Sequence, residues 1–227
     1  EASMRHLHLY IGNKRYSSWS MRPWLLLKVK DIPFIEHLSP FDHATNHQHF
    51  WQFSPTKKVP VIKYTTVVDE PDAGAFVVWD SLAIMEFVAD LYPQKNCWPT
   101  DLMLRAQARA MANEMHSGFM DLRNECPMNM CRHPNQIELS AAAKNDIKRV
   151  EQLWSDCLAQ HGGPFLFGEF GIVDAMFAPV VNRFEVYGVP VSENTQRYMN
   201  TIKNLPAWQA WDQAAQKEPW VCEVVEI

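Results

Sequence analysis

The sequence predicts a chain of two parts, a mixed α/β unit followed by an all-helical unit. Alternating apolar and polar residues, which are typical of strands, occur only within the first eighty residues. The turn-forming segment PQKNCWPTD follows at 93–101, and the apolar patterns beyond it recur at helical spacing. We therefore predict units at 4–92 and 104–227, joined by a linker at 93–103.

The first unit is predicted to contain four strands and two main helices. Leu7, Leu9 and Ile11 alternate with other side chains as a strand requires, and Pro23 is tolerated only in the first turn of the helix that follows. The predicted elements are a strand at 6–11, a helix at 19–29, a strand at 32–38, a short helix or helical loop at 43–53, strands at 59–65 and 75–79, and a helix at 81–92.

The second unit is predicted to be helical throughout. No alternating run of β-branched residues competes with the helical spacing of its apolar side chains. The predicted helices span 101–125, 136–161, 173–187, 195–203 and 206–217.

Composition limits the classes of function. The 227 residues carry a net charge of −5, which favours neither a nucleic-acid partner nor an anionic membrane surface, and no run is long enough to span a membrane. The five cysteines form no C-x-x-C pair, which favours a reducing, cytoplasmic compartment. His43, His47 and His49 have no carboxylate or cysteine at metal-ligand spacing, so we predict exposed histidines and no metal site.

Three serines stand at the start of the first predicted helix, in the stretch YSSWSMRPWL. A helix needs one N-cap side chain, whereas Ser17, Ser18 and Ser20 supply three hydroxyl groups. A hydroxyl donor and the positive end of a helix dipole both stabilise a nearby anion, a thiolate included. The stretch therefore predicts an anion site, with helix capping as the simpler explanation for one of the serines.

Two further stretches predict contacts to a peptide-like ligand. In KKVPVI, Pro60 cannot donate to a strand ladder, which favours an edge strand or a cis Val59–Pro60 bond that exposes the backbone of Val59. In WDSLAI, Asp80 and Ser81 are two capping residues where one would suffice. The surplus hydroxyl and free N–H groups suit a carboxylate, and Asp80 suits an ammonium group.

Taken in order, these three stretches resemble the glutathione transferase superfamily over nearly the whole chain. The SSWS stretch is most similar to the zeta class, whose motif is S-S-C-S followed by a helix that carries an arginine. The resemblance implies a thioredoxin-like N-terminal domain followed by an all-α domain, glutathione as co-substrate, a homodimer, and a role in detoxification.

The resemblance also implies roles for individual residues. Val59, held by cis-Pro60, would pair its backbone with the cysteinyl part of glutathione, and Asp80 and Ser81 would bind the γ-glutamyl amine and carboxylate. Lys58 would lie near the glycine carboxylate.

For the sulfur, Ser17 takes the place of the catalytic serine, with Ser18 beside it as the alternative. The sequence departs from the motif at Trp19, where the zeta class has a cysteine, so chemistry that uses that thiol is not predicted.

A second motif of the superfamily is matched in the helical part by FLFGEFGIVDAMFAP. Asp174 is predicted to be buried near a helix start with a structural role. Gly171 stands where the family usually has serine or threonine, and since glycine is a tolerable N-cap, the expected cost is a few tenths of a kcal/mol.

The resemblance places the pocket for the second substrate against the helix that follows the linker. Polar residues on that helix recur about one turn apart, which would place them on one face; a salt-bridged surface is the alternative. The candidates for this pocket are Trp19, Arg22, Arg105, Arg109, Asn113 and His116.

We predict a glutathione transferase whose Ser17 lowers the thiol pKa of bound glutathione for attack on a small electrophile. One alternative is a zeta-like cis–trans isomerase of a small dicarboxylate, bound by Arg22, Arg105 and Arg109. Another is a non-catalytic glutathione-binding module. A thiol–disulfide reductase is disfavoured because no cysteine stands at the start of the first helix.

Overall fold

The first part of the chain forms a small sheet with two main helices. The computed structural model describes residues 4–69, 71 and 74–227, so the predicted connection at 66–74 lies partly outside the described residues. The elements are β1 (His6–Ile11), α1 (Ser18–Val29), β2 (Ile35–Leu38), a 3-10 helix (Gln48–Gln52), β3 (Val61–Thr65), β4 (Phe76–Trp79) and α2 (Ser81–Leu91).

The four strands form one mixed sheet in the order β2-β1-β3-β4. β1 pairs with β2 in parallel and with β3 in antiparallel orientation, and β3 and β4 are antiparallel. Leu9 lies opposite Ile62, and both side chains are fully buried in the core. β2 begins at residue 35 rather than at the predicted residue 32, after Pro33, which has no N–H to donate to a ladder.

The rest of the chain is helical apart from its connections. The helices are α3 (Leu102–Ser117), α4 (Met120–Glu125), α5 (Ala141–His161), α6 (Ile172–Val186), α7 (Glu193–Lys203) and α8 (Pro206–Gln216). The prediction of one helix over 101–125 is wrong, because Gly118 is extended and Phe119 has a φ of 57°, which ends α3 and starts α4 in a new direction.

α6 is the central helix, and it packs against both α1 and α3. Fourteen of its fifteen residues are buried, which joins the sheet-bearing part and the helical part into one apolar core. Gly171 caps α6, and a Cβ at this position would lie only 2.8 Å from the Cys97 carbonyl oxygen. The close approach of the linker therefore explains the glycine that replaces the usual serine or threonine.

Candidate functional site

A cleft of about 470 Å³ opens where the loop before β3, the start of α2 and the end of α3 meet. It brings together seven residues that the sequence singled out and adds Thr56 and Trp79, which it did not. The lining residues are Trp19, Thr56, Lys58, Val59, Pro60, Trp79, Asp80, Ser81 and His116.

The loop that contains Val59 is fixed by hydrogen bonds to the buried Ser54. The Val59–Pro60 bond is cis. Ser54 Oγ donates to the Lys58 carbonyl at 2.7 Å and accepts from the Lys58 N–H at 3.1 Å. Within the described part of the chain the backbone N–H and C=O of Val59 have no partner. These groups are therefore available to an extended peptide laid beside them.

Asp80 caps α2 and also contacts the helical part of the chain. Its φ of 76° turns the chain sharply from β4, Oδ2 accepts from the Ala83 N–H at 3.0 Å, and Oδ1 lies 2.6 Å from His116 Nε2. Next to it, the hydroxyl of the buried Ser81 has no hydrogen-bond partner among the described residues. The first N–H groups of α2 also lack intrahelical partners, so this corner can bind both an ammonium and a carboxylate.

The three serines at the start of α1 have different roles. Ser17 is the N-cap, and its Oγ accepts from the Ser20 N–H at 3.4 Å and donates to Ser20 Oγ at 2.6 Å. Ser20 Oγ in turn accepts from the Gly12 N–H at 3.2 Å. The hydroxyl of Ser18 has no partner among the described residues. Ser17 and Ser20 thus form a linked pair, whereas Ser18 is separate from it.

The segment that leads to these serines is fixed by the last ten residues of the chain. The Glu218 carboxylate accepts from the backbone N–H groups of Lys14 and Arg15, at 2.9 and 3.0 Å. The Tyr16 hydroxyl donates to Glu226 at 2.5 Å and accepts from the Cys222 N–H at 3.0 Å. Local sequence patterns do not predict these contacts, because they join positions about 200 residues apart.

Several polar residues predicted to line a second pocket are engaged elsewhere. Arg109 binds both oxygens of Glu86, at 3.0 and 3.3 Å, and Asn113 donates to the Arg109 carbonyl. Arg105 donates to the carbonyls of Pro99 and Thr100. Arg109 is thus engaged with α2, Arg105 with the linker and Asn113 with its own helix, so of the four polar candidates on α3 only His116 lines the cleft.

Arg22 is also absent from the lining of the cleft and lies behind it. Its side chain is fully buried, Nε donates to the Met176 carbonyl at 2.8 Å, and its guanidinium stands 4.2 Å from the centre of the Trp19 ring. Burial, together with the nearby Arg183 and Arg123, holds the pKa of Arg22 well below its usual range. Arg123, which no sequence motif singled out, lies 4.6 Å from the centre of the same indole ring.

The remaining predictions concern histidines, metals and membranes. His43 is exposed, but His47 and His49 are half-buried and bonded to the Asp42 N–H and the Pro40 carbonyl, so they differ from the predicted exposed histidines. Among the described residues, no group of three or more metal-ligating side chains is clustered as a metal would require. In the same residues, no helix combines the length and apolarity needed to cross a membrane.

Two segments of the chain match the domains of one known protein family. Residues 16–91 match the N-terminal domain of glutathione S-transferases, and residues 137–213 match the C-terminal domain. A probable maleylacetoacetate isomerase from Caenorhabditis elegans is 28% identical over 208 residues, which cover 89% of this chain and 91% of that protein.

Solved structures show the same fold. Glutathione transferase Omega 2S from Trametes versicolor superposes with a TM-score of 0.72 at 19% identity, over 94% of this chain and 96% of that one. A Burkholderia glutathione transferase homologue with bound glutathione gives 0.67 at 23% identity, over 95% and 100% of the two chains. The predicted fold, a thioredoxin-like part followed by a helical part, is confirmed. With both parts matched, the chain belongs to the glutathione S-transferase superfamily.

Proposed function

We propose that this protein is a glutathione transferase that uses Ser17 to activate the thiol of bound glutathione. The observation that carries the proposal is the free backbone of Val59 beside a cis proline, in the same cleft as Asp80 and Ser81. An extended tripeptide with an ammonium group and a carboxylate at one end matches those groups in order. Lys58, on the lining of the same cleft, supplies a cation for the glycine carboxylate.

Ser17 suits the sulfur because one hydroxyl can cap a helix and donate at the same time. Its oxygen accepts from the Ser20 N–H while its hydrogen, now given to Ser20 Oγ, can turn to a thiolate. The Ser20 hydroxyl can then donate to Ser17, which leaves a chain of donors from Gly12 through both serines. The thiol proton leaves to solvent, the thiolate forms a bond to an electrophilic carbon, and that carbon loses its leaving group or pushes electrons into a conjugated acceptor.

The first test is calorimetric titration with glutathione, combined with the ultraviolet absorbance of the bound thiolate as a function of pH. We expect one site per chain. The pKa of the bound thiol should lie about two units below the pKa of a free thiol, which is about 8.5. Binding without a lowered thiol pKa would contradict thiol activation and would favour a non-catalytic glutathione-binding module. A chain that binds no glutathione would contradict both the transferase and the isomerase.

Replacing Asp80 with asparagine separates ligand binding from folding. Asparagine is as good an N-cap as aspartate, and the partly exposed contact with His116 contributes little, so we expect the free energy of unfolding to change by less than about 1 kcal/mol. The affinity for glutathione should fall at least tenfold, because a charge-assisted bond to the ammonium is worth about 1.5–3 kcal/mol. Calorimetry measures the affinity, and S-methylglutathione is the control ligand that leaves the sulfur out of the comparison. An unchanged affinity would show that Asp80 does not bind the ammonium group of glutathione.

The second candidate is the glutathione-dependent cis–trans isomerase, which the similarity to the Caenorhabditis elegans protein favours. Of the arginines predicted to bind a dicarboxylate, Arg105 and Arg109 bind carbonyls and Glu86 instead. Trp19 also replaces the motif cysteine. The isomerase therefore ranks below the transferase, and turnover of maleylacetoacetate without consumption of glutathione would reverse that order.

We further propose a cytoplasmic homodimer. All five cysteines are free thiols, which suits a reducing compartment. Apolar side chains are exposed on β4 and at the start of α3, where a second copy of the chain could cover them; they are Phe76, Trp79, Leu102 and Met103. Light scattering after gel filtration should give a mass near twice 26.3 kDa, the mass of one chain.

A further inference from the structure

We infer that the electrophilic co-substrate carries a carboxylate, and that Arg123 binds it beside Trp19. This inference rests on the proposed transferase function and identifies the class of its second substrate. It is carried by a cluster of three arginines, Arg22, Arg123 and Arg183, which lies behind and beside the Trp19 wall of the cleft.

Two members of this arginine cluster have buried donors without acceptors. Both Nη1 and Nη2 of Arg22 and the Nε of Arg183 are buried and have no hydrogen-bond partner among the described residues. Arg22 is fully buried and Arg183 is 4% exposed. Unmet donors of this kind are uncommon in folded proteins, which satisfy most buried polar groups, so this cluster has donor capacity that the described residues leave unused.

The cluster also has no counter-charge. Within the described part of the chain, none of the three arginines forms an ion pair with a carboxylate. Arg183 Nη1 donates to the carbonyls of Arg123 and Cys126 near the end of α4, and Arg123 Nη1 donates to the Gly118 carbonyl. These carbonyls offset only part of the charge, since a helix end is equivalent to about half an elementary charge.

Electrostatics within the cluster are correspondingly unfavourable. Burial and the neighbouring Arg123 lower the pKa of Arg183 to about 10, and burial lowers the pKa of Arg123. Arginine stays charged at neutral pH even so, and the three like charges repel one another. A bound anion would relieve this repulsion.

Arg123 is the member of the cluster that an anion in the cleft would meet first, because it is only half-buried and lies next to a residue of the lining. Arg123 is half-buried, and its guanidinium stands 4.6 Å from the centre of the Trp19 ring, which lines the cleft beside His116. The guanidinium of Arg22 lies 4.2 Å from the centre of the same ring and adds a second positive charge behind it. A carboxylate can accept two parallel N–H bonds from one guanidinium, so Arg123 offers both charge and orientation to a substrate held next to the sulfur.

The experiment compares two electrophiles that differ in one charge, 4-fluoro-3-nitrobenzoate and 4-fluoro-3-nitrobenzamide. In both, glutathione thiolate forms the carbon–sulfur bond and fluoride leaves, so release of the product chromophore reports the same step. Each kcat/KM is divided by the uncatalysed rate constant with glutathione at the same pH. We expect the wild-type protein to prefer the benzoate at least tenfold after this correction.

The Arg123→Gln variant should lose that preference, mainly through a higher KM for the benzoate, so the corrected ratio of kcat/KM for the benzoate over the benzamide should fall to near one. Arg123→Lys should retain part of it, because lysine supplies charge without the two parallel bonds. Arg149→Gln is the matched control, since Arg149 is paired with Glu114 outside the cleft.

A corrected preference near one in the wild type, or one that Arg123→Gln leaves unchanged, would overturn the inference. If Arg123→Gln does not fold, competition against benzamide turnover in the wild type decides instead: 3-nitrobenzoate should inhibit at least tenfold more strongly than 3-nitrobenzamide, and equal inhibition would overturn the inference. If the folded protein turns over neither electrophile, the proposed transferase function is contradicted, and the inference that rests on it falls as well.

Discussion

Replacing Ser17 with alanine is expected to raise the thiol pKa of bound glutathione by about two units and to lower kcat/KM roughly 20- to 100-fold at pH 7. Two pKa units correspond to about 2.7 kcal/mol, which one hydrogen bond to a charged sulfur and the α1 dipole can supply together. With a thiol pKa near 8.5, only a few per cent of the sulfur is ionised at pH 7, whereas about three quarters is ionised with a pKa near 6.5. Thiolate absorbance and initial rates measure the two quantities.

Ser18→Ala is the matched control for Ser17→Ala, because the Ser18 hydroxyl is outside the pair formed by Ser17 and Ser20. It should leave the thiol pKa within a few tenths of the wild-type value. Ser20→Ala should raise the thiol pKa by a smaller amount than Ser17→Ala, since it removes the donor behind Ser17 but not Ser17 itself. If Ser18→Ala raises the thiol pKa and Ser17→Ala does not, the activating hydroxyl is that of Ser18.

The largest effect on stability is expected from Asp174→Ala, which should lower the free energy of unfolding by about 3–5 kcal/mol. Asp174 is 1% exposed. Its Oδ1 accepts from the Leu166 N–H at 3.1 Å and the Tyr198 hydroxyl at 2.8 Å, and its Oδ2 accepts from the Gly171 N–H at 3.0 Å. The substitution leaves three buried donors without an acceptor, which is the costly case.

Thermal unfolding should show this loss as a Tm lower by about 10 °C or more, given about 2–4 °C per kcal/mol for a chain of this size. Tyr198→Phe is the matched control because it removes a single donor and leaves both backbone bonds to Asp174. We expect it to cost about 1 kcal/mol. Equal losses for the two variants would mean that Asp174 does not organise the turn before α6.

Burial of Asp174 also predicts a pH dependence. Desolvation raises the pKa of Asp174 from 3.8 to about 6, so between these values the folded state binds more protons than the unfolded state. Stability from this group is therefore highest below pH 4 and falls by about 3 kcal/mol as the pH rises to 6. Urea unfolding between pH 4 and 7 should show this fall in the wild type, and Asp174→Asn, which cannot ionise, should lack that component.

Local patterns in the sequence were sufficient for most of the secondary structure and for two corners of the cleft, whereas Ser17 and Ser18 are not among the residues that line it. The strand alternation at Leu7, Leu9 and Ile11 and the order of the motifs predicted the four-stranded sheet and the helical second part. The pairs Val59–Pro60 and Asp80–Ser81 predicted two neighbouring corners of one cleft, and both line it. These features depend on backbone chemistry within a few residues, such as a missing N–H or a helix cap, so they can be inferred without the fold.

What only the tertiary structure decided is where the long charged side chains lie. The sequence made Arg109 a candidate for the second-substrate pocket and did not single out Arg123, although both lie on the predicted helix at 101–125. The helix is interrupted at Phe119, and Arg123 in α4 lies 4.6 Å from the centre of the Trp19 ring, whereas Arg109 in α3 is paired with Glu86. The hydrogen bonds from the segment before Ser17 to Glu218 and Glu226 also could not be predicted from the sequence. The position of a long charged side chain depends on which partner and how much water remain near it after packing, and these are properties of contacts between residues far apart in the chain.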